Sequence, residues 1–169
     1  MPGDVRWHFI GHLQTNKVKE LVSTPNLHCV HTVDSLKLAS ELQKRCAAVR
    51  PERPLNVLVQ VNTSGEESKS GCAPEACAEL CATLRDSCPN LVLSGLMCIG
   101  KYSSADGEAT ADFACLSQCR RDAAARLGVS PDELALSMGM SHDFEAAIDA
   151  GATHVRVGST IFGARAKKP

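Results

Sequence analysis

The chain has 169 residues, with 18 Lys and Arg against 19 Asp and Glu and a formal net charge of -1. This length allows one domain with a real core, but it falls short of the roughly 250 residues of a complete eight-fold βα barrel. The balanced charge and the aromatic content of 4% are not typical of a protein that binds a nucleic acid or an anionic membrane surface. We therefore expect a single domain over residues 1–169 that binds neither.

Short apolar runs rich in β-branched residues alternate with amphipathic stretches along the whole chain. This alternation is typical of a βαβα fold with a parallel sheet. The predicted strands span residues 6–10, 27–33, 55–62, 91–99, 135–138 and 153–158. The predicted helices span residues 14–23, 34–49, a segment that starts at Pro74, an apolar stripe from Phe113 to Leu127, and residues 143–150. Asp34 is the predicted N-cap of the second helix.

The nine cysteines raise the question of a disulfide or metal framework. Cys77 and Cys81, like Cys115 and Cys119, lie four apart in helical patterns, so each pair shares one helix face, where cysteine often behaves as a small hydrophobic residue. The odd count, the lack of a CxxC motif and the lack of a histidine cluster argue against a metal site. We expect no metal, no membrane span and a reducing, cytoplasmic compartment.

The last two predicted strands carry residues suited to a phosphate. Parallel strands present their carboxyl ends at one edge, and in βα barrels the loops after the last two strands often hold phosphate. Ser141 follows one strand, and Gly158, Ser159 and Thr160 follow the next. A glycine admits an anion close to the backbone, and hydroxyl groups with consecutive N–H groups favour negative charge. The alternative is that Ser141 only caps the helix over residues 143–150 and that the Gly-Ser-Thr run is an ordinary turn.

Arg156 is the strongest single indicator in this region. Strand alternation puts Val155 and Val157 on the face that packs against helices, so His154, Arg156 and Gly158 face the barrel interior. A buried guanidinium without a partner is costly, and we expect Arg156 to meet an acid, a phosphate or a ring acceptor. His154 lies deeper on the same face and is expected to be a hydrogen-bonded core histidine.

Four motifs together resemble the pyridoxal phosphate homeostasis family, also called the proline synthase co-transcribed family. They are WHFIGHLQTNK at residues 7–17, GEESKSG at 65–71, GLM at 95–97 and SMGMS at 137–141. The resemblance runs from Trp7 to Arg165. It implies a (βα)8 TIM barrel of the alanine racemase N-terminal-domain type that carries pyridoxal 5'-phosphate (PLP). It also implies that Ser141 and the loop of Gly158, Ser159 and Thr160 hold the phosphate, while Arg156 lies by the pyridine nitrogen.

The same resemblance implies that part of the barrel is missing. In the family, two strands precede the WHFIG motif, and one of them bears the lysine that forms the Schiff base with PLP. Only six residues precede Trp7 here, so we expect about six of the eight βα units and no Schiff-base lysine. Lys101 and Lys69 are not expected to substitute, because exposed loop lysines stay protonated and mobile. An opened barrel exposes two strand edges, and we expect the isolated chain to be poorly soluble.

Three functions remain open from the sequence. The first is a PLP-binding protein of intracellular PLP homeostasis, without catalysis, that hands the cofactor to PLP-dependent apo-enzymes. The second is a PLP enzyme of the amino-acid racemase kind, which needs a Schiff-base lysine and an opposing acid or base such as a tyrosine, and Tyr102 is the only tyrosine. The third is a barrel that binds another phosphorylated ligand, such as flavin mononucleotide (FMN).

Overall fold

Strands and helices alternate along the chain. The computed structural model describes residues 3–66, 69–101 and 106–163, and it leaves the side chains of residues 106–110 aside. The strands are β1 Trp7–Phe9, β2 Leu27–Val33, β3 Leu55–Gln60, β4 Leu91–Met97, β5 Ala135–Met140 and β6 His154–Arg156. The helices are α1 Val18–Val22, α2 Leu36–Val49, α3 Pro74–Ser87, α4 Asp106–Leu127, α5 Phe144–Asp149 and α6 Ser159–Phe162. Among these described helices, none is both long and apolar enough to cross a bilayer.

The six strands form one parallel sheet in the order β1-β2-β3-β4-β5-β6. In a flat sheet, strands spaced by about 4.8 Å would separate β1 from β6 by roughly 24 Å. The ring centroids of His8 on β1 and His154 on β6 are only 5.9 Å apart. The sheet therefore curls into the wall of a barrel with an interior, which confirms the expected partial TIM barrel.

The sheet has an apolar outer face and a mixed inner face. Val57 and Val59 point outward and join the helix residues Leu42 and Leu116 in the main core. A smaller cluster on the inner face contains Cys29, Leu58 and Met97. Both faces of β2 and β3 are covered, since six of the seven residues of β2 and five of the six residues of β3 are buried. Four polar side chains of the sheet are nevertheless almost fully buried: His31, Thr32, Gln60 and Ser137.

An irregularity in β4 sets which of its side chains enter the barrel. The pairing with β3 jumps from Val57 opposite Leu93 to Leu58 opposite Gly95, so Ser94 is skipped. Leu93 packs on the outer core before this point, whereas Met97 lies in the inner cluster after it. Gly95 has φ +155°, and a Cβ built there would lie 2.1 Å from the carbonyl oxygen of Ala135. Only glycine lets β4 and β5 approach this closely.

Several predicted boundaries shift, each for a local reason. The second helix begins at Leu36 with Ser35 as its N-cap, because the Leu38 N–H donates to Ser35 Oγ at 3.4 Å. Asp34 is therefore not the cap, and its carboxylate accepts from the Ser35 hydroxyl instead. The segment predicted as a helix over residues 14–23 starts with a 3-10 turn, Thr15–Lys17, before α1. Pro74 occupies the predicted first turn of α3.

Candidate functional site

Ser141 and the loop after β6 meet at the carboxyl edge of the sheet. Ser141 directly follows β5, and Gly158 lies two residues after β6. The main-chain N–H of Gly158 donates to Ser141 Oγ at 2.9 Å, and the N–H of Thr160 points at the same oxygen at 3.5 Å. The structure thus brings together Ser141, Gly158 and Thr160, with Ser159 between the last two. Ser159 and Thr160 are both exposed.

The capping alternative for Ser141 is wrong. Helix α5 begins at Phe144, and its N-cap residue is Asp143 rather than Ser141. The carboxylate of Asp143 accepts the main-chain N–H of Met140 at 2.5 Å and so closes the turn between β5 and α5. Ser141 is left to face the loop after β6, where its oxygen collects two backbone N–H groups.

The glycine at position 158 is not required by packing against the protein. A Cβ built on Gly158 would meet no heavy atom within 4 Å, and its φ of -119° is accessible to other residues. By contrast, a Cβ on Gly139, in the neighbouring strand, would lie 2.5 Å from Ala147 Cβ. The backbone at Gly158 is therefore open to an approaching group, which is what an anion needs to reach main-chain N–H donors.

Arg156 points into the barrel and is anchored to two neighbouring strands. Its Nη1 donates to Ser137 Oγ on β5 at 3.1 Å, and its Nη2 donates to the carbonyl oxygen of Cys98, just past β4, at 2.8 Å. Burial lowers the pKa of the guanidinium, while Cys98 and Asp143 oppose this shift. Both hydrogen-bond acceptors are neutral, whereas the sequence predicted an acid, a phosphate or a ring acceptor.

A hydrogen-bonded chain continues from Arg156 across the interior. Ser137 Oγ lies 2.9 Å from His31 Nδ1, and His31 Nε2 lies 2.8 Å from His8 Nδ1. Burial, together with smaller contributions from His8, His154 and Arg156, lowers the pKa of His31 to about 3. A neutral imidazole carries one N–H, so the tautomer of His31 decides whether it donates to Ser137 or to His8.

Sequence reasoning did not identify Ser137, His31 or His8 as site residues. Strand alternation was the signal that the sequence offered, because it puts Ser137 on the same face as Gly139 and His31 on the same face as Cys29. Alternation does not tell which residues of different strands meet, so the register between distant strands was also needed to identify the site. The expectation that no histidine cluster exists was wrong, because the imidazole of His8 lies 5.0 Å from that of His31 and 5.2 Å from that of His28.

His154 is hydrogen-bonded, as predicted, but it does not lie in the core. Its Nδ1 lies 2.8 Å from Thr153 Oγ1, so it is hydrogen-bonded, but the residue is exposed rather than part of the core. The physical reason is its strand, because β6 is the last in the sheet order and has one neighbour, β5.

The two loop lysines make contacts of different kinds, Lys69 through its side chain and Lys101 through its main chain. Lys69 Nζ lies 3.9 Å from Glu66 Oε2 in its own loop, and the main-chain N–H of Lys101 donates to Asp112. Neither contact involves Ser141 or Gly158. Tyr102 lies outside the described residues.

Comparison with known proteins gives consistent matches over nearly the whole chain. The family model described as "Alanine racemase, N-terminal domain" matches residues 4–166. The chain is 44% identical over 169 residues to the pyridoxal phosphate homeostasis protein of Mus musculus, which covers 98% of this chain and 62% of the relative. It is 46% identical over 168 residues to the protein of the same name from Caenorhabditis elegans, covering 98% of this chain and 68% of the relative.

A solved structure agrees with the same assignment. PipY of Synechococcus elongatus, solved without PLP, superposes with a TM-score of 0.81 at 29% sequence identity. The match covers 95% of this chain and 72% of that one.

Proposed function

Since the chain belongs to the pyridoxal phosphate homeostasis protein family, whose fold is that of the alanine racemase N-terminal domain, we propose that it binds PLP and acts in intracellular PLP homeostasis. The chain spans 62% of the mouse relative's length. The observation that carries the proposal is the pair of backbone N–H groups, from Gly158 and Thr160, gathered at Ser141 Oγ.

The donor set at this edge suits a phosphate ester. Main-chain N–H groups of the kind that donate to Ser141 Oγ also donate to phosphate oxygens. In the proposed mode the Ser141 hydroxyl then donates its own hydrogen to the anion. The open space at Gly158 supports close approach of the anion to the backbone. Ser159 and Thr160 add exposed hydroxyl groups on the same loop.

Arg156 provides the second contact of the proposed mode. Its guanidinium lies inside the barrel, held by Ser137 and the Cys98 carbonyl, and it supplies a permanently charged donor to a ring acceptor. When bound, PLP contributes an electrophilic aldehyde that reacts with amines. The protein's own residues bind the phosphate and orient the ring.

We propose a binding and carrier role rather than catalysis, with PLP-dependent apo-enzymes as recipients. The ammonium group of Lys69 lies 3.9 Å from Glu66 Oε2 in its own loop, which supports a role in which this lysine takes no part in catalysis. All nine cysteines are free, seven of them buried, which suits a reducing compartment such as the cytoplasm.

A ligand panel tests this proposal. Purified protein is titrated with PLP, with pyridoxal and with FMN, and binding is followed by visible absorbance and calorimetry. We expect PLP to saturate near one equivalent and to bind more tightly than pyridoxal, while FMN fails to displace it. Equal affinity for PLP and pyridoxal, or displacement of PLP by FMN, would contradict the proposal. Formation of D-alanine from L-alanine in the PLP-loaded sample would contradict the carrier role alone.

A further inference from the structure

Three side chains with potential metal-ligand atoms meet at the far end of the hydrogen-bonded chain that starts at Arg156. His8 on β1, Cys29 on β2 and His31 on β2 offer two ring nitrogens and one sulfur that all lie within 4.8 Å of one another. Cys29 and His31 are two residues apart on one strand face, and the register places His8 opposite Cys29. The cluster therefore follows from the pairing of β1 with β2.

We propose that His8, Cys29 and His31 form a Zn²⁺ site. Nitrogen and sulfur are the donors that Zn²⁺ selects, and three protein ligands with a solvent molecule in the fourth position is a common arrangement. Tetrahedral geometry with Zn–N near 2.05 Å and Zn–S near 2.3 Å requires ligand atoms about 3.3 to 3.6 Å apart. The nitrogens of His8 and His31 are 2.8 Å apart, so they need to separate by about 0.5 Å.

The surroundings of the cluster fit a metal ligand set. His31 Nδ1 lies 2.9 Å from Ser137 Oγ, which fixes the ring and leaves Nε2 directed at the site, as outer partners of metal-bound histidines do. Cys29 is 3% exposed and packs against Leu58 and Met97, so one side of the site is dry. His8 is exposed and provides a route for the ion.

The charge balance of binding is simple. Zn²⁺ displaces the proton of the Cys29 thiol, which passes to solvent, and a Zn–S bond forms without any change of oxidation state. His8 and His31 bind as neutral imidazoles. The resulting site carries one net positive charge. Arg156 is linked to the ligand His31 by two hydrogen bonds through Ser137, so the thiolate is needed to offset repulsion between the two cations.

Cobalt substitution tests this site independently of PLP. The whole chain, stripped with a chelator and kept reduced, is titrated with Co²⁺ and then with Zn²⁺ in competition. We expect about one ion per chain, a thiolate-to-cobalt charge-transfer band, and release of one thiol proton per ion. The variant Cys29→Ser should lose the band and bind Zn²⁺ more than about tenfold more weakly, since even outer-shell changes cost that much.

Controls separate the site from general effects of cysteine loss. Cys46 is also a fully buried cysteine, but it lies on α2 in the outer core, so Cys46→Ser should keep the band and the affinity. His8→Gln changes an exposed ligand and should weaken Zn²⁺ binding even if Cys29→Ser fails to fold. Wild-type affinity in His8→Gln, a band that survives in Cys29→Ser, or no band in the wild type would each overturn the proposal.

Discussion

The hydroxyl oxygen of Ser141 accepts the main-chain N–H of Gly158 at 2.9 Å, across the gap between the ends of two neighbouring parallel strands. This contact links the exits of β5 and β6. In the proposed binding mode the contact holds the N–H donors of this loop in one orientation, which lowers the ordering needed when a phosphate binds. The proposed phosphate site uses backbone N–H groups of the segment after β6, which their contacts with Ser141 tie to the end of β5.

Gly158→Ala should weaken PLP binding while leaving the stability of the fold nearly unchanged. Because a Cβ at this position meets no atom within 4 Å, we expect the free energy of unfolding to change by less than about 0.5 kcal/mol. PLP affinity should fall at least about tenfold, since the methyl group occupies the approach to the backbone donors. Urea unfolding and PLP titration measure the two effects. Gly139→Ala is the contrast, because its Cβ would lie 2.5 Å from Ala147 Cβ at a φ of +88°, and it should destabilise the fold by more than about 1 kcal/mol.

Ser137→Ala should destabilise the interior network. The change leaves His31 Nδ1 and Arg156 Nη1 without their shared partner in a buried position. We expect a loss of about 1 to 3 kcal/mol in the free energy of unfolding. Ser94→Ala removes a more exposed serine that bonds Asn56 and should cost less than about 1 kcal/mol. Equal losses in the two variants would show that the buried network contributes no more to stability than the single hydrogen bond of Ser94.

The free energy of unfolding should decrease as the pH is lowered, because of His31. The pKa of His31 is about 3 in the folded chain, against its usual 6.5, so between these values the unfolded state binds more protons. Its contribution is fully present above pH 6.5 and is lost progressively as the pH drops toward 3. In chelator, the slope of unfolding free energy against pH should exceed that of His31→Gln by up to about 1.4 kcal/mol per pH unit. Parallel curves for the two proteins from pH 6 to 4 would rule this out.

Gly95→Ala should be among the most damaging single changes in the sheet. A Cβ there would fall 2.1 Å from the Ala135 carbonyl oxygen, at a φ of +155° that other residues rarely adopt. Relief requires β4 and β5 to separate, so we expect a loss above about 3 kcal/mol. Gly128→Ala, where a Cβ meets nothing within 4 Å but φ is +70°, should cost about 1 kcal/mol. Circular dichroism during thermal unfolding provides the comparison.

Local signals predicted the order of elements and the meeting of Ser141 with Gly158. Both follow from parallel strands that end at one edge, which alternation of apolar runs is enough to indicate. The contact between His8 and His31 could not be predicted from the sequence, because it depends on the register between two strands and the two residues are 23 positions apart. The orientation of Met97 was also out of reach, since the skipped residue Ser94 reverses the alternation within β4. Asp34 and Ser35 are both good N-caps, and only the backbone geometry decides between them.

The most direct test of the account compares PLP with pyridoxal in the wild type and in Ser141→Ala, with Ser87→Ala as a control from the exposed end of α3. The two ligands differ only in the phosphate. We predict that Ser141→Ala weakens PLP binding by about tenfold or more and leaves pyridoxal binding unchanged, because one charge-assisted hydrogen bond contributes about 1.5 to 3 kcal/mol. Ser87→Ala should match the wild type for both ligands. An unchanged PLP affinity in Ser141→Ala, or an equal loss for both ligands, would contradict a phosphate site at Ser141.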